Sequence, residues 1–209
     1  MLLSRDLAPV LVALVVLVIA LGGEARAKGE PELLDLANGE ILIASEDTPG
    51  SDGATFVARA VVDAPPAVVW SVVSRCGDYQ RVMPRIAASA ELARAGDIVT
   101  CRVTADLPFP LPDLTSTTRA VHREDAAAMR YQREWKLVEG DFEVNEGAWI
   151  LEPAFGGQKT YAVYRLRVKP KLPVPTSLAS MFQKGPLVDA MKAVRAESKK
   201  RLQSAATKR

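Results

Sequence analysis

Histidine and cysteine are almost missing from this chain. His122 is the only histidine in 209 residues, and Cys76 and Cys101 are the only cysteines. Three such residues are too few for a conventional zinc site. No serine or cysteine triad can be built around His122, which is read as a surface residue near a strand end. A surplus of one charge is missing too. Lys and Arg total 27 against 25 Asp and Glu, a net charge of +2, so nothing argues for nucleic acid as the main partner. No nucleotide motif occurs, since Gly156-Gly157 lies in the turn "AFGGQ" and lacks the strand-loop-helix setting of a phosphate loop. Neither a metal nor a cofactor is expected.

What is present is apolar residue, 48% of the chain, enough for a sizeable core. The one long apolar run is Leu7 to Leu21. Arg5 precedes it, and "GGEARA" follows with Ala25 and Ala27 in A-x-A spacing. Residues 1–27 therefore read as a secretory signal peptide cut after Ala27. The run is short against the roughly 20 residues of a membrane span, although Asp6 weakens the positive start and an uncleaved anchor is the alternative. Export permits a disulfide between Cys76 and Cys101. Two buried free thiols would suit the sequence equally.

Residues 28–54 read as an N-terminal extension with a short helical turn and a short strand. Alternating apolar residues then mark a strand at "TFVARAVVD". "DAPPAVVWSVVSRCGDY" follows as a helix, with Asp63 as N-cap and prolines in its first turn. A second short helix, "DYQRVMP", stops at Pro84. Six strands come next: "RIAASAELARA", "IVTCRVTADL", "LTSTTRAVHR", "AMRYQREWKLV", "DFEVNEGAWILEP" and "KTYAVYRLRVKP". A long C-terminal helix carries an apolar stripe, Leu187, Val188, Met191 and Val194, preceded by Met181 and Phe182. Its basic end, Lys192 to Arg209, holds seven Lys and Arg against one Glu.

The order strand, two short helices, six strands, long helix resembles the START-like (SRPBCC) superfamily, in its coenzyme-Q-binding and polyketide-cyclase-like branch. The likeness spans about Gly39 to Arg201. It is carried by "VVDAPPAVVWSVVSRCGDYQRVMPRI" (Val61 to Ile86), with its Ala-Pro, Val-Trp and Asp-Tyr-x-x-x-Met-Pro segments. "WKLVEGDFEVNEGAWILEP" (Trp135 to Pro153) adds to it. The resemblance implies an α+β helix-grip fold over residues 55–205, in which a curved antiparallel sheet of about seven strands wraps around the long helix. It also implies a cavity between sheet and helix, where a filled core would show the same pattern.

Strand parity selects the cavity candidates: Val99, Cys101, Val103, Met129, Tyr131, Trp135, Trp149, Tyr164 and Leu166, with Phe182, Leu187 and Met191 on the helix. Arg119 shares parity with Val121, and Arg133 with Met129, Tyr131 and Trp135. If these arginines face inward they need an acidic partner or an anionic ligand group. A bulge or register shift would send them to solvent instead.

Proline fixes φ and donates no hydrogen bond, so "DLPFPLPDL" (Asp106 to Leu114) is a loop, yet an apolar one. Connections in a meander alternate between the ends of the sheet. That puts "DLPFPLPD", "LVEGDF" and "KPKLPVPT" at one end. Leu107, Phe109, Leu111, Leu172 and Val174 then form either the rim of a cavity, able to gate it or touch a membrane, or a plug for a filled core.

The expected function is that of an exported, bacterial periplasmic protein that binds a hydrophobic small molecule (a lipid, quinone, sterol or polyketide-like compound) without transforming it. One alternative is a cyclase or dehydratase, which needs an acid, histidine or arginine pair converging in the cavity. The other is a protein-interaction module with a filled core.

Overall fold

The computed structural model describes residues 30–46, 54–173 and 185–207. A helix α1 (Glu30–Ala37) and a strand β1 (Ile41–Glu46) open the described chain, followed by β2 (Thr55–Val62), α2 (Pro66–Val73) and α3 (Tyr79–Val82). A meander then runs through β3 (Ile86–Ala95), β4 (Ile98–Ala105), β5 (Leu114–Asp125), β6 (Arg130–Gly140), β7 (Phe142–Ala154) and β8 (Lys159–Pro170). The last element is α4 (Gly185–Thr207). All eight strands join one antiparallel sheet in the order β1-β2-β8-β7-β6-β5-β4-β3. This is the helix-grip arrangement, a curved sheet closed on one face by α2 and α4.

The sheet has one strand more than the seven expected. The extra strand is β1, in the segment read as an extension, which pairs with β2 from Ile41↔Ala60 to Glu46↔Thr55. Arg195 on α4 fastens the same segment. Its guanidinium donates to the carbonyl oxygens of Gly39 (2.7 Å), Glu40 (2.9 Å) and Val61 (3.0 Å). The basic end of α4 is therefore not simply a solvated tail. Arg201 likewise donates to Ser71 O at 2.8 Å and pairs with Glu197.

The start of α2 differs from the sequence reading. Pro65 is the N-cap and Pro66 the first helical residue, with no side-chain cap. Proline suits this place because the first turn has no use for its missing N–H. Asp63 instead pairs with Lys159 at 2.6 Å.

The core lies between α2, α4 and the concave face of the sheet. Val69, Trp70, Val72 and Val73 of α2 meet Leu187, Met191 and Val194 of α4 and Ala58, Ala60, Leu151 and Ala162 of the sheet. Each buried Val or Leu contributes about 1.5–3 kcal/mol. Trp70 lies against the sheet, stacked on Tyr131 at 5.5 Å.

Cys76 and Cys101 are joined in a disulfide, which ties the turn after α2 to β4. With Val99 they form a separate small core, against which Tyr79 packs.

Candidate ligand cavity

A cavity of about 230 Å³ lies between the sheet, the α3 corner and the start of α4. Its wall is mainly aromatic and aliphatic. Trp149 on β7 and Tyr164 on β8 stand opposite each other in register and stack at 4.2 Å, with Trp135 on β6 6.1 Å from the same tyrosine ring. Val103, Leu166 and Val168 extend this wall, and Ala190 and Pro186 of α4 cover it.

Three polar side chains in the cavity satisfy one another. Trp135 Nε1 donates to Asn145 Oδ1 at 3.2 Å, and Asn145 Nδ2 donates to Ser116 Oγ at 2.9 Å. Arg133 is different. It lines the cavity at only 3% exposure, and no carboxylate pairs with it among the described residues. Its Nη2 donates to Cys101 Sγ at 3.3 Å, a weak acceptor, and its Nε finds no acceptor. The guanidinium lies 5.3 Å from the ring centre of Trp135 and 5.8 Å from that of Tyr79. Tyr79 donates its hydroxyl hydrogen to Val73 O, and burial pushes its pKa up. Tyr164 is pushed up by burial as well. Both phenols are therefore neutral donors at any pH the protein meets.

The three apolar connections do meet at one end. Asp141, between β6 and β7, takes the N–H of Thr115 on its Oδ2 at 2.7 Å and gives its own N–H to Thr115 O at 2.8 Å. Its carbonyl accepts the Lys171 N–H at 2.9 Å. One residue thus links the start of β5, just after the proline loop, with the β6–β7 turn and the exit from β8. Leu107 lines the cavity, whereas Leu111 and Leu172 are half-buried. Phe109 is 96% exposed, so it is not a plug. The space between sheet and α4 is a cavity of about 230 Å³ at this end rather than a continuous packing of side chains.

Not every parity candidate reaches this space. Val103, Arg133, Trp135, Trp149, Tyr164 and Leu166 do. Val99 and Cys101 sit behind it in the disulfide core, with only Cys101 Sγ touching Arg133. Tyr131 stacks on Trp70, and Leu187 and Met191 are buried in the helix-sheet core. Phe182 and Val174 lie outside the described residues.

Two candidates face solvent. Arg119 is exposed because the inner face of β5 carries Ser116, Thr118, Ala120 and His122, and Arg119 and Val121 point the other way. Met129 has φ +53° in the turn before β6 and rests on Gly157.

The opposite error concerns His122. It is buried at 3% exposure, edge-on to Trp70 at 4.9 Å, opposite Arg133 in the β5–β6 register, and its Nε2 has no acceptor. Burial, then the charges of Arg133 and Arg94, lower its pKa from 6.5 to about 4. Between those values the unfolded chain binds a proton that the folded chain refuses. Stability is therefore full above pH 6.5 and falls as pH drops toward 4, by about 3 kcal/mol in all. His122→Phe keeps a ring against Trp70 and should flatten urea midpoints over this window. An unchanged pH slope in the variant would contradict the assignment.

Tyr79, Asn145 and Ser116 line the cavity as well, and no local pattern in the chain marks Tyr79 or Ser116 as lining residues. Asn145 shares parity with Gly147 and Trp149 on one strand and could have been found that way. Met83, Pro84 and Ile86, at the end of α3 and the start of β3, also border the cavity. Among the described residues no three His, Cys, Asp or Glu side chains are grouped to hold a metal ion.

Residues 62–195 match the family described as polyketide cyclase/dehydrase and lipid transport. The chain belongs to this family. No curated protein sequence matches it. Solved structures share the fold at low identity. A STAR-related lipid transfer protein fragment from Xanthomonas axonopodis is 17% identical, with TM-score 0.65 over 76% of this chain and 93% of that one. A START superfamily protein from Mycobacterium smegmatis is 22% identical, with TM-score 0.59 over 71% and 99%. The Zhui aromatase/cyclase from a Streptomyces species is 15% identical, with TM-score 0.58 over 79% and 98%. Family and fold together support hydrophobic ligand binding for this START-like chain.

Proposed function

We propose that this family member is an exported carrier of a hydrophobic small molecule, held in the cavity without chemical change. The observation that carries the reading is the 230 Å³ cavity with its wall of Trp135, Trp149, Tyr164, Leu166 and Val103. Ligand surface placed there contributes about 25 cal/mol per Å² of apolar area removed from water. Carriage rather than catalysis is supported by the acids that border the cavity. Among the described residues the bordering carboxylates, Asp106 and Asp189, are both exposed, and His122, though buried opposite Arg133, does not line the cavity, so none of the three stands ready beside the ligand space as a general acid or base. Export is supported by the signal-like residues 1–27 and by the disulfide, which suits an oxidising compartment. Phe109, standing out from the proline loop beside the cavity, is the side chain that would meet an apolar surface during loading.

The test is binding of the neutral fluorophore N-phenyl-1-naphthylamine. Wild type should bind it and release it to competing alkyl compounds. Val103→Trp, which fills part of the cavity from β4, should weaken binding at least tenfold while leaving the urea midpoint near the wild-type value. Wild type that binds no fluorophore, or a filled variant that binds as well, would overturn the reading.

A further inference from the structure

We infer that the ligand is an amphiphile with a single carboxylate head, bound head-inward at Arg133 with its apolar chain running toward the proline loop. The inference deepens the carrier reading and rests on it.

Among the described residues the cavity wall holds one buried charge, Arg133, without a charged partner, beside the neutral hydroxyls of Thr118 and Tyr164. The Trp135, Asn145 and Ser116 side chains already bond to one another. An arginine side chain keeps its charge at any physiological pH, so Arg133 is a cation at 3% exposure. Its surroundings offer two aromatic faces and a disulfide sulfur, and its Nε has no acceptor. Across the strand pair His122 is held neutral by burial and by this charge, and the carboxylate whose charge reaches Arg133, Glu91, is exposed and bonded to Arg94. A buried cation left this way is costly unless an anion joins it. Water would hydrate the guanidinium, and a ligand reaching as far as Arg133 would have to replace those hydrogen bonds. A ligand that brings its own anion fills the space and meets the charge as well as the N–H donors. A planar carboxylate also matches the guanidinium fork.

The charge and the orientation follow from position. Arg85, the other arginine bordering the cavity, is exposed. The buried wall thus offers one positive charge, which suits a carboxylate better than a doubly charged phosphate. Arg133 lies seven residues along β6 from Gly140, which pairs with Ser116 at the proline-loop end. At about 3.3 Å per residue that is roughly 20 Å of strand. The head therefore sits deep, and the aromatic wall lines the path back to the loop.

The experiment compares decanoate with 1-decanol at pH 8 as competitors of N-phenyl-1-naphthylamine. In wild type, decanoate should bind at least tenfold more tightly than the alcohol. Arg133→Met should lose that preference, binding decanoate no more tightly than the alcohol, and unfold at no lower urea concentration than wild type. Equal affinity of the two competitors in wild type would overturn the inference while leaving the carrier reading intact. So would a preference for decanoate that survives in Arg133→Met. A wild-type protein that takes up no fluorophore would overturn the carrier reading and this inference with it.

Discussion

Gly147→Ala should destabilise the protein by about 3 kcal/mol, the upper end for overpacking by one methyl group, and should distort the cavity wall. Gly147 sits mid-strand on β7, opposite Trp135 on β6 and Leu166 on β8. A Cβ there would overlap the Arg165 carbonyl oxygen and lie 2.5 Å from Trp135 Cζ2. The indole therefore lies over the glycine, in space that any other residue would occupy. That placement is what lets Trp135 reach Asn145 and face Arg133. Since one obstacle is backbone, a rotamer change cannot absorb the methyl group, and the β7–β8 pairing must give as well. A urea titration would read the stability loss, and near-ultraviolet circular dichroism would read the displaced tryptophan. Removing the indole as well, in Gly147→Ala/Trp135→Leu, should restore only part of the stability, because the Arg165 contact stays. A Gly147→Ala protein with the wild-type midpoint and spectrum would show that the glycine is not required.

The strands were legible because alternation is a local property, and each of the seven expected from residue 55 onward is present. Which face points inward is not local. On β5 the inner positions are Ser116, Thr118, Ala120 and His122, three of them polar, while Val121 points outward. Counting apolar residues therefore chose the wrong face and put Arg119 inside and His122 outside. A register shift between Thr117 and Thr118 further weakens parity as a guide there. On β6 the inner face carries Tyr131, Arg133 and Trp135, and two large aromatics flanking one arginine made the inference hold. The disulfide was undecidable from the chain alone, since packing thiols and bonded cysteines look alike in sequence. The polar chain from Trp135 to Ser116 was out of reach because it joins three strands, and only register brings them together.

Reducing the disulfide, or replacing it in Cys76→Ala/Cys101→Ala, should cost the folded state about 3 kcal/mol. The bond closes a segment with a sequence separation of 25, and loop-closure entropy for that length gives this magnitude. Both cysteines are fully buried, so their replacement also loosens the packing of Val99 and Tyr79. The consequence reaches the cavity. Cys76 opens the turn that leads directly into Tyr79, whose ring faces the Arg133 guanidinium, and Cys101 Sγ is the one acceptor that guanidinium has. Without the bond the α2–α3 corner meets β4 by packing alone among the described residues, while Ser89 on β3, whose Oγ accepts the Gln80 N–H and donates to Gly77 O, still ties it to the neighbouring strand. Fluorophore binding should therefore weaken along with stability. Urea titrations with and without a dithiol reductant decide the matter. The reductant should lower the wild-type midpoint toward, but not below, that of the double variant and leave the double variant unmoved. A wild-type midpoint indifferent to reductant, with the thiols shown to be free, would mean that the fold does not depend on the bond. It would also remove the disulfide as support for export, because a protein folding equally well in a reducing compartment needs no oxidising one.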